Sequence, residues 1–242
     1  MNTLGSIAKK LDIYGWDRFA KFAVNEVRYK FYYQAILASF SQYKEDIVID
    51  GLLKKDMGFY VDVGANDPVR FNNTYRFYRK GWQGINIDPN REAMNNFISK
   101  RSRDVNLNIG IDRKSGWLLF YEMFPETLST FSKKAKDDYV EQGYGLKGVR
   151  KIPVMPLAKV LDRYAEHRAI DFFTIDTEGY DLQVLESNNW YKYRPKVICI
   201  ESFEEETLSA KLGDRQRQAR YLEKLGYKKV FDYHINSIYL RS

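Results

Sequence analysis

The stretch Phe59-Tyr60-Val61-Asp62-Val63-Gly64-Ala65-Asn66 is an apolar run that leads directly into an Asp-x-Gly turn. An apolar run of this length predicts a buried strand. Because glycine has no side chain, Gly64 would let a ligand approach the backbone closely. Turns of this kind also occur in α/β proteins that bind no nucleotide, so the stretch by itself predicts a strand and a turn but no ligand.

A second strand ending in an acid follows at an informative distance. Residues 84–89 read Gly-Ile-Asn-Ile-Asp-Pro, and Asp88 comes 24 positions after Gly64 (88 minus 64). In Rossmann-like sites an acid at the tip of the second strand accepts hydrogen bonds from both ribose hydroxyls. We therefore predict that Asp88 binds a ribose. An Asx turn ahead of Pro89 is the alternative, but it does not explain the spacing.

The residues after Gly64 separate two classes of nucleotide ligand. The dinucleotide fingerprint needs a glycine two positions after the first one, so that a pyrophosphate can reach the backbone. Asn66 occupies that position here. The sequence therefore favours a nucleoside ligand without bridging phosphates over NAD.

A third apolar run, residues 172–175, predicts a strand that carries Asp176 and Glu178 to its carboxyl end. Ligands of open α/β sheets bind at that edge. We predict that Asp176 positions or deprotonates an acceptor hydroxyl and that Glu178 binds cofactor or acceptor. The alternative is that these acids cap the helix that begins near Gly179. Glu201 ends the next predicted strand and, with Asp176, could bind a divalent cation, but the metal remains unassigned.

The remaining chain alternates short β-rich runs with helical stretches, which is typical of a parallel sheet with helical crossovers. A closing antiparallel pair is predicted at residues 227–232 and 237–240, and His234, in the turn between them, is a further catalytic candidate. Residues 125–150 are polar and aperiodic and are interpreted as a substrate-covering loop. Other strands are predicted at 84–87, 105–111 and 196–200, and helices at 73–80, 92–100, 157–167, 181–188 and 208–225.

Length and composition predict one catalytic domain. With 242 residues, 44% of them hydrophobic, the chain can bury one sizeable core. We expect a helical N-terminal cap over residues 1–50 and the catalytic domain over residues 51–242. No apolar run of membrane-spanning length and no secretory leader is visible, so a cytoplasmic location is expected. With one cysteine the chain forms no internal disulfide, and its single cysteine and two histidines lack the ligand spacing of a structural zinc site.

The net charge of +7 is spread along the sequence. A dispersed surplus suits a solvated surface, or attraction to anionic substrates and membranes, better than a stripe that follows a nucleic acid backbone. We therefore expect no nucleic acid partner, no transmembrane segment and, at most, peripheral contact with a membrane.

Several ordered motifs occur between residues 41 and 242, namely Ser41–Asp46, Phe59–Asn66, Asn73-Thr74, Phe77-Tyr78, Gly81-Trp82, Gly84–Asn90, Arg101–Asp104, Ile175–Gly179 and Asn236–Tyr239. Together these motifs resemble the FkbM-type methyltransferases. The resemblance implies an α/β, Rossmann-like class I methyltransferase with a mostly parallel seven-stranded sheet and an antiparallel closing strand. It also implies S-adenosylmethionine as methyl donor and, as acceptor, a hydroxyl commonly on a sugar of a polysaccharide, glycolipid or glycosylated natural product. Asp67-Pro68 departs from the family, many members of which carry a further glycine there.

The resemblance implies that Gly64 and Asp88 hold the cofactor. The other predicted cofactor residues are Asp62, Ala65, Asn66, Pro89, Asp104 and Asp176. Two further functions stay open, namely a nucleic-acid methyltransferase, motivated by the positive charge, and a non-catalytic S-adenosylmethionine-binding scaffold. The acceptor, the methylated position, the catalytic base and the oligomeric state are left open by the sequence.

Overall fold

The computed structural model describes residue 24 and residues 38–202, 209–233 and 235–242. The chain divides into two compact units, Met1–Phe40 and Ser41–Ser242. Most of the predicted N-terminal cap lies outside the described residues. Its predicted boundary after residue 50 falls within the first helix of the second unit, α1 (Glu45–Leu53). No helix among the described residues is long and apolar enough to cross a membrane.

A seven-stranded sheet forms the centre of the second unit. Its order is β3-β2-β1-β7-β8-β10-β9, with β10 antiparallel to both β8 and β9 and the other neighbours parallel. The predicted fold class is confirmed, including the antiparallel closing pair. The strands are β1 (Phe59–Val63), β2 (Gln83–Ile87), β3 (Val105–Leu107), β7 (Phe172–Ile175), β8 (Val197–Glu201), β9 (Tyr227–Asp232) and β10 (Asn236–Arg241).

The order of the strands reverses at β1, which lies between β2 on one side and β7 on the other. Such a switch point opens a crevice at the carboxyl ends of the strands, where open α/β sheets bind their ligands. The topology therefore places the tips of β1, β2 and β7 around one site. These tips carry Gly64, Asp88 and Asp176.

Helices cover both faces of the sheet, which explains why the central strands are apolar without alternation. Each residue of β1, β7 and β8 is buried. One face packs on α5 (Leu157–Tyr164) and α6 (Asp181–Glu186). The other packs on α1 and on the rings of Phe77 and Trp82, which cluster with Phe172 of β7. The helices are α2 (Tyr75–Arg79), α3 (Arg91–Lys100), α4 (Lys133–Glu141), α5 (Leu157–Tyr164), α6 (Asp181–Glu186) and α7 (Ser209–Lys224).

A second, three-stranded sheet corrects the predicted loop over residues 125–150. It consists of β4 (Gly110–Ile111), β5 (Gly116–Phe124) and β6 (Gly145–Met155), in the order β4-β6-β5. The prediction was wrong for two reasons. The first half of β6 is exposed and shows no apolar alternation, and the strand that it pairs with, β5, is separated from it in sequence by a long insertion. A 3₁₀ helix (Glu126–Leu128) and α4 lie between these two strands.

The predicted strand over residues 105–111 is split between the two sheets, with β3 in the first and β4 in the second. The chain enters the second sheet at Gly110. A Cβ atom at Gly110 would lie 2.5 Å from the ring of Phe131, so the close packing of that ring requires glycine. The second sheet thereby lies next to the carboxyl ends of the main strands.

Candidate active site

The turn after β1 can be formed only by glycine. Gly64 has a φ angle of 83°, in the left-handed region, and a Cβ atom there would lie 1.7 Å from the carbonyl oxygen of Asp176. The amide of Gly64 donates to the carbonyl oxygen of Ile87 at 2.9 Å, and the amide of Asp176 donates to that of Val63 at 2.9 Å. These bonds hold the tips of three strands together.

Asp88 lies at the tip of β2 with its carboxylate held by the backbone. One oxygen accepts a hydrogen bond from the amide of Asn66 at 2.9 Å, and the other accepts one from the amide of Asn90 at 2.7 Å. Burial raises the pKa of Asp88 to about 6, against the opposing effect of these two donors. Because a carboxylate has about four acceptor positions, both oxygens keep capacity for a ligand.

A cavity of about 590 Å³ opens between the strand tips and the second sheet. Gly64 and Asp88 both line it, as do Asn66, Pro89 and Asp176 from the predicted cofactor set. The opposite wall is largely apolar and is contributed by Ile109, Ile111, Phe120, Phe131 and Tyr180. The cavity thus offers a polar edge of strand tips and an apolar wall, a combination suited to a nucleoside.

A second, more polar cavity of about 1140 Å³ adjoins the first. The two cavities share Gly64, Asn66, Thr127, Asp176 and Glu178. The polar side chains that line only the second cavity come from β1 and the loop that follows it, from β7 and β8, and from the segment before α1. They include Asp62, Asn72, Asn73, Thr174, Glu201 and Gln42. Ala65, a predicted cofactor residue, also lines this second cavity.

Three acids meet where the cavities join. Carboxylate oxygens of Asp176, Glu178 and Glu201 all lie within 4.8 Å of one another. Glu201 is buried and Asp176 is exposed. The phenol of Tyr139 donates to the carboxylate of Glu178, so α4 braces this residue. Carboxylates at this separation stabilise a shared proton, a hydroxyl donor or a cation.

The structure does not support the alternative that Asp176 or Glu178 caps the next helix, α6. Tyr180 occupies the N-cap position of α6 and makes no side-chain cap hydrogen bond. The turn before α6 is instead held by Asp181, whose carboxylate accepts from the amide and hydroxyl of Thr177 at 2.8 and 2.9 Å.

Asp62 is buried and borders the second cavity. One of its oxygens accepts hydrogen bonds from Asn72 at 3.2 Å and from Thr74 at 3.0 Å. Burial raises the pKa of Asp62 to about 6, although the Arg101 guanidinium acts in the opposite direction. Asp62 therefore orders the loop that follows β1. Because its pKa is about 6, its carboxyl group changes protonation state near that pH.

Asp104 lies away from both cavities. Its fully buried carboxylate accepts hydrogen bonds from Tyr60 at 2.7 Å, Arg101 at 3.0 Å, Gly84 at 2.9 Å and Asn86 at 2.9 Å. These four donors occupy the acceptor capacity of the group. The structure thus joins Asp104 to a buried network rather than to the other predicted cofactor residues. His234 lies outside the described residues.

A family model described as the methyltransferase FkbM domain matches residues 62–229. The chain belongs to the FkbM methyltransferase family. Similar solved structures include a precorrin-6y C5,15-methyltransferase from Geobacter metallireducens and an O-methyltransferase from Bacillus cereus in complex with SAH. The first is 13% identical, with 84% of this chain and 91% of that chain covered and a TM-score of 0.44. The second is 9% identical, with 91% and 88% covered and a TM-score of 0.43. Among curated proteins no match is found.

Sequence reasoning missed the cavity wall that the second sheet and the segment before α4 contribute in this FkbM domain. Phe120, Phe131 and Thr130 line the first cavity, and Thr130 also donates to the backbone oxygen of Glu178 at 2.9 Å. The apolar content of residues 117–121 was the available signal for a strand there. It indicated β5 but not the pairing that brings β5 to the site.

Proposed function

We propose that this protein is an S-adenosylmethionine-dependent O-methyltransferase that acts on a sugar hydroxyl of a polysaccharide, glycolipid or glycosylated natural product. One observation supports this proposal above the others. A cavity with a carboxylate suited to a ribose adjoins a polar cavity, and the two meet at Gly64, Asp176 and Glu178. A methyl donor and a hydroxyl acceptor need such a junction.

The residues of the first cavity fit the donor. Asp88 would accept hydrogen bonds from the two ribose hydroxyls, and the apolar wall with Ile111 and Phe120 would cover the adenine. Gly64 has no side chain and would leave room for the amino acid portion of S-adenosylmethionine. When bound, S-adenosylmethionine supplies a methyl group that its sulfonium already makes electrophilic.

The second cavity suits a polyhydroxyl acceptor. The amide side chains of Gln42 and Asn73 offer hydrogen-bond donors and acceptors to sugar hydroxyls. The carboxylates of Asp176, Glu178 and Glu201 would repel the phosphates of a nucleic acid at the same place. This distribution of charge favours a sugar over a nucleic acid as acceptor.

The protein mainly has to orient the acceptor and exclude water, since the methyl group needs no further activation. Asp176 borders both cavities and would accept a hydrogen bond, and then the proton, from the attacking hydroxyl. Glu178, held by Tyr139, would accept a hydrogen bond from a neighbouring hydroxyl of the acceptor and so orient it. A weak base suffices for this step.

A ligand screen by thermal shift tests the donor assignment. S-adenosylmethionine, its homocysteine product and NAD are added separately to the full chain. A ligand at 100 times its Kd stabilises the folded state by about 2.7 kcal/mol, which a thermal shift detects. We expect the first two ligands to stabilise the protein and NAD to leave it unchanged. Stabilisation by NAD alone would exclude the proposed donor.

Transfer of a labelled methyl group tests the acceptor class. The enzyme is incubated with labelled donor and, in parallel, with a mixed panel of neutral oligosaccharides and with total RNA. Label in the oligosaccharide fraction supports the proposal, and label in RNA alone supports the nucleic-acid alternative. Tight donor binding without transfer to either panel or to lysate glycans would favour the scaffold.

A further inference from the structure

A cationic groove lies at the amino edge of the main sheet, at the opposite ends of the strands from the active site. Among the described residues, twelve line this groove, and six of them are lysines or arginines, against one acid, Asp171. The six basic residues are Lys55, Arg168, Lys192, Arg194, Lys196 and Arg241.

The topology explains why residues so far apart in sequence converge there. Lys55 precedes β1, Arg168 precedes β7, and Lys196 precedes β8, so parallel pairing brings all three to one edge. Because β10 runs antiparallel to β8, its last residue, Arg241, arrives at the same edge. The amide of Arg241 donates to the carbonyl oxygen of Lys196 at 2.9 Å.

Half of these cations have carboxylate partners. Lys55 pairs with Asp171 at 2.6 Å, while Arg168 pairs with Glu166 and Lys192 with Asp162 at 2.5 Å each. These pairs neutralise three of the six side chains, so the net positive charge of the groove comes from the other three.

Arg194, Lys196 and Arg241 have no carboxylate partner among the described residues. Each is exposed and donates to a backbone carbonyl instead, with distances of 2.5 Å from Arg194 to Leu225, 3.1 Å from Lys196 to Leu52, and 2.7 Å from Arg241 to Arg194. One bond of this kind orients each head group and leaves its remaining N–H donors available. Oriented guanidinium groups with free donors match the geometry of phosphate.

We propose that this groove is a second ligand site, which binds a small phosphate-bearing group. Three unneutralised cations in a groove are too few to follow a nucleic acid, whose binding typically involves about 6–10 phosphate contacts. The group would belong to a soluble oligophosphate or to a phospholipid head group, which share this chemistry. A five-residue strand is about 16 Å long, so a ligand here would not touch the transferred methyl group.

Isothermal titration with tripolyphosphate, at low salt and on the full chain, tests the site. The test variant is Lys196→Gln/Arg241→Gln, and the matched control is Lys133→Gln/Lys134→Gln, which removes the same charge from exposed positions on α4. We expect the test variant to raise the Kd by about tenfold or more and the control to leave it within about threefold. A charge-retaining variant, Lys196→Arg/Arg241→Lys, should bind more tightly than Lys196→Gln/Arg241→Gln, because it keeps both positive charges.

Vesicles separate the two sources of phosphate. A lipid head group is identified if the wild-type protein sediments with phosphatidylglycerol vesicles but not with phosphatidylcholine vesicles. The test variant should then no longer sediment with either. Binding of tripolyphosphate without vesicle binding identifies a soluble ligand.

Three results would overturn the proposal. They are equal losses in the test and control variants, no binding of either probe by the wild-type protein, and binding of single-stranded RNA alone. If Lys196→Gln/Arg241→Gln does not fold, the single variant Lys196→Gln is used with Lys134→Gln as its control. Binding of S-adenosylmethionine is titrated on the same samples, so that failure of the groove and failure of the proposed donor site are distinguished.

Discussion

Replacing Asp88 with alanine removes the carboxylate proposed to bind the ribose. At pH 7 a group with a pKa of about 6 is ionised in roughly ten molecules for each protonated one, so the charged acceptor dominates. Hydrogen bonds to a charged group contribute about 1.5–3 kcal/mol each. Two lost ribose contacts therefore predict a weakening of S-adenosylmethionine binding by about 3–6 kcal/mol, which is more than 100-fold in Kd.

Asp88 also accepts hydrogen bonds from the amides of Asn66 and Asn90, so its removal could disorder the loop after β1. A loss of affinity caused by such disorder must be distinguished from the loss of the ribose contacts. Asp67 provides a matched control. Its carboxylate accepts from the amides of Val69 and Arg70 at 2.8 Å each, yet it lines neither active-site cavity. Asp67→Ala should therefore remove two comparable backbone contacts and retain the affinity for S-adenosylmethionine within about threefold.

Isothermal titration of both variants, with thermal midpoints recorded alongside, measures the difference. A Kd for Asp88→Ala within about threefold of the wild-type value would refute the ribose assignment. Equal losses in the two variants would attribute the effect to the order of the loop rather than to the ligand contact.

Three further predictions concern the same site. Gly64→Ala should destabilise the fold and abolish donor binding, since its Cβ atom would lie 1.7 Å from the oxygen of Asp176; a thermal midpoint equal to that of the wild type would contradict this. Asp176→Ala should leave donor binding mostly intact and lower kcat about tenfold or more, so unchanged kcat with any methylated acceptor argues against its role as base. Donor affinity should fall as the pH drops through about 6, because the proton that Asp88 takes up competes with the ribose hydroxyls; titrations from about pH 5 to pH 8 should show this slope in the wild type but not in Asp88→Ala.

The central strands could be predicted from the sequence because burial on both faces leaves an unbroken apolar run. The predicted bounds of β1 and β7 agree with the structure. Helix ends were less accurate. The helix predicted to reach residue 167 ends at Tyr164, since Glu166 and His167 adopt positive φ angles of 50° and 63° that terminate it.

The candidate site was only partly predictable. A spacing argument brought Gly64 and Asp88 to one crevice, because the carboxyl ends of neighbouring parallel strands meet at the same edge of a sheet. Asp104, which was also predicted to bind the cofactor, follows α3, and its carboxylate accepts from Arg101 inside the fold. Contacts such as Tyr139 with Glu178 link residues 39 positions apart and depend on long-range pairing that no local pattern records.

The distribution of charge also required the structure. Along the sequence the positive surplus is dispersed, and we expected it to be spread over the surface. Parallel strands, however, bring their amino ends to one edge and their carboxyl ends to the other. Lys196 and Arg241 therefore share a groove with other cations, whereas Asp176, Glu178 and Glu201 converge at the opposite edge.

This separation of charge constrains any acceptor that carries both a sugar and a phosphate. A phosphate about 5 Å from one of the three active-site carboxylates would be repelled by about 3 kcal/mol at an effective dielectric constant of 20. The cationic groove would instead attract it, but from the far ends of strands about 16 Å long. An acceptor that occupied both sites would therefore need several sugar units or a long linker between its methylated hydroxyl and its phosphate. Short sugar phosphates should be poor acceptors, and neutral oligosaccharides or long lipid-linked glycans better ones.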